Sequence, residues 1–147
     1  AEFANADRFP MADTIVVKTP EEAFPELPIN PNTFIIVATR GHRFDNVALA
    51  AAAKTSAKYV GLLGSRRKII LIYEDLMRMG IPKERIEELR APIGLDIHAR
   101  TPEEIAVSIM AELLMFRLGG TGLPMKLEQH HIDRIEGKTE ISAPAAD

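Results

Sequence analysis

Cysteine and tryptophan are both absent from this 147-residue chain, and tyrosine occurs only twice. Without cysteine there is no disulfide, no zinc finger, no iron–sulfur ligation and no thiol nucleophile. Without tryptophan, and with aromatics at 5%, the stacking platforms of single-strand nucleic-acid binders are not expected. The formal net charge of −3 points the same way, because nucleic-acid surfaces are ordinarily basic. No apolar run nears the ~20 residues that span a bilayer, so neither nucleic acid nor membrane is an expected partner. Residues 1–10 lack the basic stretch and apolar core of a signal peptide, which makes the cytoplasm the expected compartment. Also missing are G-x-G-x-x-G, G-x-x-x-x-G-K-[ST] and G-x-S-x-G, so neither nucleotide fingerprint nor a hydrolase elbow is present.

What is present is a globular balance, 46% hydrophobic and 27% charged, in a length that suits one domain. Strand and helix signals alternate. Residues 13–17 are a β-branched run and predict a strand. Thr19-Pro20-Glu21-Glu22 is a capping box, and Pro25 and Pro28 keep the helix it opens short. Residues 33–38 form the strongest strand signal, apolar on both faces as in a covered parallel sheet. A helix over 45–54 and a strand over 58–63 follow. Ile69, Ile72, Tyr73 and Leu76 share one face of a helix over 66–79, with Gly80 placed to end it. A short helix over 82–88 and a brief strand at 89–91 come next. Thr101-Pro102-Glu103-Glu104 opens the longest helix. Its stripe of Ile105, Ile109 and Leu113 is widened by Ala106, Met110 and Leu114. The methionines at 77, 79, 110 and 115 read as core filling.

From Pro124 the chain reads as polar and aperiodic, and 137–147 as a disordered tail. The expected division is a domain over 1–123 and a flexible tail over 124–147. The order of elements predicts an α/β fold with a parallel sheet and helices on both faces. Only three strands are convincing, and their open edges would be apolar. Part of the sheet is therefore expected to be missing or to come from another chain.

Ligands of open α/β sheets sit beyond the carboxyl ends of the strands, and two loops there have unusual content. The first holds Thr39, Arg40, Gly41 and His42, then Arg43, Phe44 and Asp45. Gly41 allows a tight turn, and Arg40 and His42 suit an anionic or polar ligand. His42 is a candidate general acid or base, or a locally bonded histidine; Asp45 reads most simply as a helix cap. The second loop is Gly64-Ser65-Arg66-Arg67-Lys68, at a predicted helix start. Free N–H groups there favour an anion, and three cations strengthen it. Cations at a helix N-terminus oppose the dipole by roughly 0.3–1 kcal/mol each, so their placement argues for a ligand. Gly94 and Asp96 lie in a third loop, where Asp96 either meets a ligand or bonds the loop's own amides. Glu112 pairs with Arg117 or Lys126, or reaches a ligand. His130, His131 and Asp133 have metal-binding chemistry but fall in the loose C-terminal segment, and no metal site is expected.

Residues 38–45, 59–68, 91–97 and 101–112, with Arg8-Phe9-Pro10-Met11-Ala12-Asp13, resemble the C-terminal domain of the XdhC/CoxI family. The likeness covers about residues 3–118, in the family's order. It implies a Rossmann-like domain and an accessory role in maturing molybdenum hydroxylases of the xanthine dehydrogenase or carbon monoxide dehydrogenase type. It implies binding of the molybdenum cofactor (molybdopterin) and its transfer to the apoenzyme, a carrier role more than a catalytic one. The site residues expected for this are Thr39, Arg40, Gly41, His42, Gly64, Ser65, Arg66, Arg67, Lys68, Gly94 and Asp96. A cysteine desulfurase is an expected partner, since any sulfur must come from elsewhere. Family members begin the domain with a strand, a glycine-rich turn and a helix that this sequence lacks. A second chain completing the sheet, as a homodimer or an N-terminal fragment, is therefore expected. The family also shows glycine where His98 stands. Two other readings remain open on the residues alone. One is half of an NAD(P)-binding oxidoreductase; the other is an interaction module without ligand.

Overall fold

The structure is a computed structural model in which residues 3–39 and 41–141 are described; Arg40, residues 1–2 and 142–147, and the side chains of His42, Arg43 and residues 139–141 lie outside that description. Thr19 opens α1 (Pro20–Ala23), and its N–H donates to the Glu22 carboxylate at 3.1 Å, as the capping box requires. A 3-10 turn over Phe24–Glu26 carries Pro25 and ends the segment. Next come β1 (Phe34–Val37), α2 (His42–Ala53) and β2 (Tyr59–Leu62). The strands run parallel, with Phe34 opposite Tyr59 and Val37 opposite Leu62. The brief strand expected at 89–91 shrinks to one parallel bridge between Gly61 and Arg90, held by Arg90 N donating to Val60 O and Leu62 N to Arg90 O, each at 2.9 Å.

Side chains alternate across a strand, so the two faces of β1 are distinct. Ile35 and Val37 point into a core with Val60, Leu62 and the helices α2 and α3 (Arg66–Arg78). Ala48, Ala52 and Ala53 are buried on α2, and their small side chains let it lie close to the sheet. Ile69, Ile72 and Leu76 of α3 are buried as the helical spacing predicts, and Tyr73 is half-buried. Gly80 ends α3 with a φ of +80°: Gly80 N donates to Met77 O and Ile81 N to Leu76 O, both at 3.0 Å. The short α4 (Lys83–Glu88) contributes Ile86 to the same core.

The opposite sheet face carries Phe34 and Tyr59. It is covered by α5 (Pro102–Leu118), whose Phe116 ring meets both at centroid distances of 5.8 and 5.1 Å. Helices thus lie on both faces, as the alternation implied.

Four expectations need correction. Residues 13–17 form no strand, and Val17 is 59% exposed; a β-branched run becomes a strand only beside a partner, and it pairs with none among the described residues. The widening stripe of α5 does not pack. Ile105, Ile109 and Leu113 are half-buried, but Ala106, Met110 and Leu114 are exposed because the sheet beneath is only two strands wide. Met77, Met79 and Met110 are likewise surface residues, not core filling. Finally, the segment read as aperiodic holds α6 (Gln129–Ile141), whose described side chains are exposed. The part of the predicted tail beyond residue 141 lies outside the described residues.

Arg85 of α4 explains how α2 can end inside the protein. Its Nε donates to Ala53 O at 2.9 Å and its Nη2 to Ala57 O at 2.6 Å, satisfying carbonyls that no helical N–H can reach. Arg85→Ala is expected to lower stability by about 1.5–3 kcal/mol, the scale of charged hydrogen bonds. Thermal unfolding, compared with the surface variant Lys83→Ala, measures it.

Candidate functional site

A cleft of about 350 Å³ opens at the carboxyl end of β2. One wall is the start of α3, with Gly64 and Arg66; the other is the loop 92–99, with Gly94, Asp96 and His98. The volume lies in the range of small-molecule sites. Ser65 is the N-cap of α3, its Oγ accepting from Lys68 N at 3.4 Å. Arg66 and Arg67 are both exposed, but only Arg66 lines the cleft.

Lys68 behaves differently from its neighbours. Its ammonium turns back to the Asp45 carboxylate, which is fully buried. The other oxygen of Asp45 accepts from Thr39 Oγ1 at 2.5 Å. Asp45 is therefore not the helix cap that the sequence suggested; the N-cap of α2 is Gly41, with φ at +104°. Thr39 and Lys68 are committed to this buried carboxylate, which ties the first loop to the second. Of the first loop, Arg40 and the side chain of His42 lie outside the described residues, and Gly41 is exposed.

The loop 92–99 is held from behind by α5. Glu112 is buried, and its Oε2 accepts from Gly94 N at 2.7 Å and from Tyr59 Oη at 2.8 Å. Ser108 Oγ donates to Leu95 O at 2.5 Å. Gly94 has φ at +104°, and a Cβ there would run into Ser108 Oγ, so only glycine suits the position. Gly61 has a related need: a Cβ on it would lie 2.8 Å from Ile93 Cγ1. Burial, and after it the Glu112 carboxylate that accepts its proton, raise the Tyr59 phenol above its ordinary value. Glu112 thus pairs with neither Arg117 nor Lys126, the partners its sequence neighbourhood offered. Tyr59 and Ser108 were not singled out from sequence; nothing in their spacing announces that they meet the loop.

Asp96 stands at the rim, its side chain 79% exposed, with Oδ1 3.4 Å from His98 N. It bonds its own loop weakly and keeps most of its carboxylate open. His98 has φ at +59°, the left-handed region in which the family places glycine. Its side chain is 90% exposed at the rim of the cleft. Among the described residues no cluster of metal-binding side chains occurs, His130, His131 and Asp133 included. Among them, too, no helix is long and apolar enough to cross a membrane.

The fold has counterparts in known proteins. A xanthine dehydrogenase of Bacillus halodurans, solved by crystallography, superposes with a TM-score of 0.63 at 27% identity, over 96% of this chain and 34% of that one. The uncharacterised protein YqeB of Escherichia coli is 34% identical over 99% of this chain and 27% of its own length. The molybdenum cofactor insertion chaperone PaoD of Escherichia coli is 31% identical over 61% of this chain and 28% of its own. A probable xanthine dehydrogenase subunit of Bacillus subtilis is 30% identical over 78% of this chain and 33% of its own. The chain thus spans about a quarter to a third of these relatives. The family model described as the XdhC Rossmann domain matches residues 1–113, and the chain belongs to that family.

Proposed function

We propose that this chain acts in the maturation of a molybdenum hydroxylase by holding the molybdenum cofactor and releasing it to the apoenzyme, in the cytoplasm. The observation that carries the reading is the cleft between Arg66 and Asp96. A cation stands beside an N-terminal helix turn on one wall, and an open carboxylate stands on the other. Molybdopterin has matching parts: a phosphate for the α3 start and a flat, hydrogen-bonding ring for the loop. Asp96 is placed to accept from the amino edge of the ring. Arg66 supplies a charged, two-pronged donor. The Ser108 hydroxyl that lines the cleft is bonded to Leu95 O at 2.5 Å, which suits a carrier that must bind and let go. When bound, the cofactor supplies the redox-active metal; this chain's residues only hold and orient it. With no cysteine in the chain, sulfur for the metal comes from a partner, for which a cysteine desulfurase is the natural class.

Arg66→Ala is expected to weaken molybdopterin binding about tenfold to a hundredfold, the value of one or two charged hydrogen bonds. Arg67→Ala, outside the cleft, is expected to change it by less than about threefold. Isothermal titration of the anaerobic cofactor against the three proteins checks both. NAD(P) serves as the competing ligand in the same assay. Binding of NAD(P) in place of molybdopterin, lost in Arg66→Ala, would overturn the carrier reading in favour of a nucleotide-binding one.

A further inference from the structure

A shallow hollow of about 270 Å³ lies at the amino end of β2, lined by Lys58, Glu88, Arg90 and Phe116. Lys58 and Arg90 are exposed, and among the described residues neither makes an ion pair. The carboxylate in the lining is already engaged: Glu88 Oε2 accepts from Arg85 Nη1 at 2.7 Å. Arg90 is also held in place. Its backbone is fixed by the bridge to Gly61, and its guanidinium lies over the Phe116 ring, 5.7 Å from the centroid. Phe116 meets Tyr59 and Phe34 from the sheet, yet it is 37% exposed. A guanidinium lying on a ring keeps the N–H groups of its own plane for other partners. Two uncompensated cations thus share a hollow with a partly exposed aromatic ring.

We infer that this hollow is the docking point for an acidic segment of a partner protein: one carboxylate takes the Arg90 fork and the Lys58 ammonium, and an apolar side chain beside it lies on Phe116. Charge complementarity selects the acid, because the carboxylate present in the lining is engaged by Arg85. Size selects a side chain over a free small molecule, since 270 Å³ falls below the usual ~300–1,000 Å³ of small-molecule sites. Composition selects a protein: arginine beside an aromatic ring is the pairing enriched at interface hot spots. General attraction is not the cause, because the chain as a whole is acidic, with a net charge of −3. The hollow is separate from the cleft. Lys58 directly precedes β2, whereas the cleft opens at the strand's carboxyl end. About 12 Å of α5 separates Ser108 in the cleft from Phe116 in the hollow. A partner held at this end leaves the cleft open, and the inference stands whatever the cleft binds.

The test uses a short labelled peptide in which glutamates flank a single leucine, and a reference peptide with glutamines in place of the glutamates. Fluorescence anisotropy with the intact chain reads binding. The acidic peptide is expected to bind, and the glutamine peptide to bind about tenfold or more weakly. Arg90→Ala is expected to weaken the acidic peptide by about tenfold or more, the scale of an interface hot spot. Arg90→Lys keeps the charge without the fork and is expected to recover only part of that loss. Lys58→Ala, at an exposed side chain, is expected to cost about twofold to fivefold. These two variants keep the test decisive should Arg90→Ala lower stability through Phe116. Arg67→Ala, on a cation outside the hollow, is expected to leave binding unchanged. Equal binding of the two peptides overturns the inference, and so does no binding by the acidic one. A loss in Arg67→Ala as large as in Arg90→Ala makes the attraction general and overturns it too. A single-stranded RNA oligonucleotide that binds more tightly than the peptide, displaces it and is weakened by Arg90→Ala makes nucleic acid the occupant and overturns the acidic protein.

Discussion

Lys68→Ala is expected to destabilise the protein by about 3–5 kcal/mol, the usual result of leaving a buried charge without its partner. The reason is Asp45, which is fully buried and keeps only the Thr39 hydroxyl once the ammonium is gone. The double variant Asp45→Asn with Lys68→Met is expected to regain most of the loss, because no buried charge remains. Equilibrium urea unfolding of the three proteins measures this. A single variant within about 1 kcal/mol of the parent would mean that the pair is exposed to water in solution. The result matters for function because Lys68 sits beside the cleft. Losing it should unfold the chain more readily without weakening anion binding per folded molecule, whereas Arg66→Ala should do the reverse.

The second large effect is expected at Glu112. Glu112→Leu leaves the Gly94 N–H and the Tyr59 hydroxyl without an acceptor, at about 1–3 kcal/mol for each buried group. A total loss of about 2–5 kcal/mol follows, together with faster hydrogen exchange at Gly94. Glu112→Gln keeps an acceptor oxygen and is expected to cost less than half as much. Equal losses in the two variants would show that packing, not the hydrogen bonds, is what the residue supplies. The alkaline limb gives an independent check. The Tyr59 phenol is raised in the folded state, by burial first and by Glu112 second. Stability from it is complete below the unfolded phenol value of about 10 and falls as pH rises above that, since only the unfolded chain then ionises. Tyr59→Phe is expected to make this fall shallower, as followed by unfolding at a series of alkaline pH values.

Both effects concern residues whose roles depend on distance in the chain. Lys68 reads, from its neighbours, as the third cation of an anion site, and Asp45 as a helix cap. Each reading is sound locally; what it misses is that α2 and α3 lie side by side and bring the two together. Glu112 is a similar case. Its sequence neighbours Arg117 and Lys126 are the obvious partners, but the turn of α5 aims it at β2 and at Gly94. Gly41 and Gly94 were legible as turn residues because only glycine tolerates their φ values near +104°. Asp96 was left between two roles; in the structure it bonds its own loop weakly, at 3.4 Å to His98 N, and its side chain is 79% exposed.

The sequence by itself determined the local structure wherever the signal was local. Capping boxes at Thr19 and Thr101, the Gly80 stop, and the spacing of Ile69, Ile72 and Leu76 each act within a few residues, so propensity and periodicity suffice. The alternation of strands and helices likewise determined the α/β class, and the ordered motifs the family. Which apolar positions form the core depends on what packs against them. Residues 13–17 carry a strand's composition without a strand's partner, and Met110 and Leu114 carry a core stripe with no sheet beneath them. Burial is a property of what lies opposite, and hydrogen bonds across a sheet or into a loop join residues far apart in the chain. That is why α2, α3 and α5 could be read from the letters, and the buried Asp45–Lys68 and Glu112–Gly94 contacts could not.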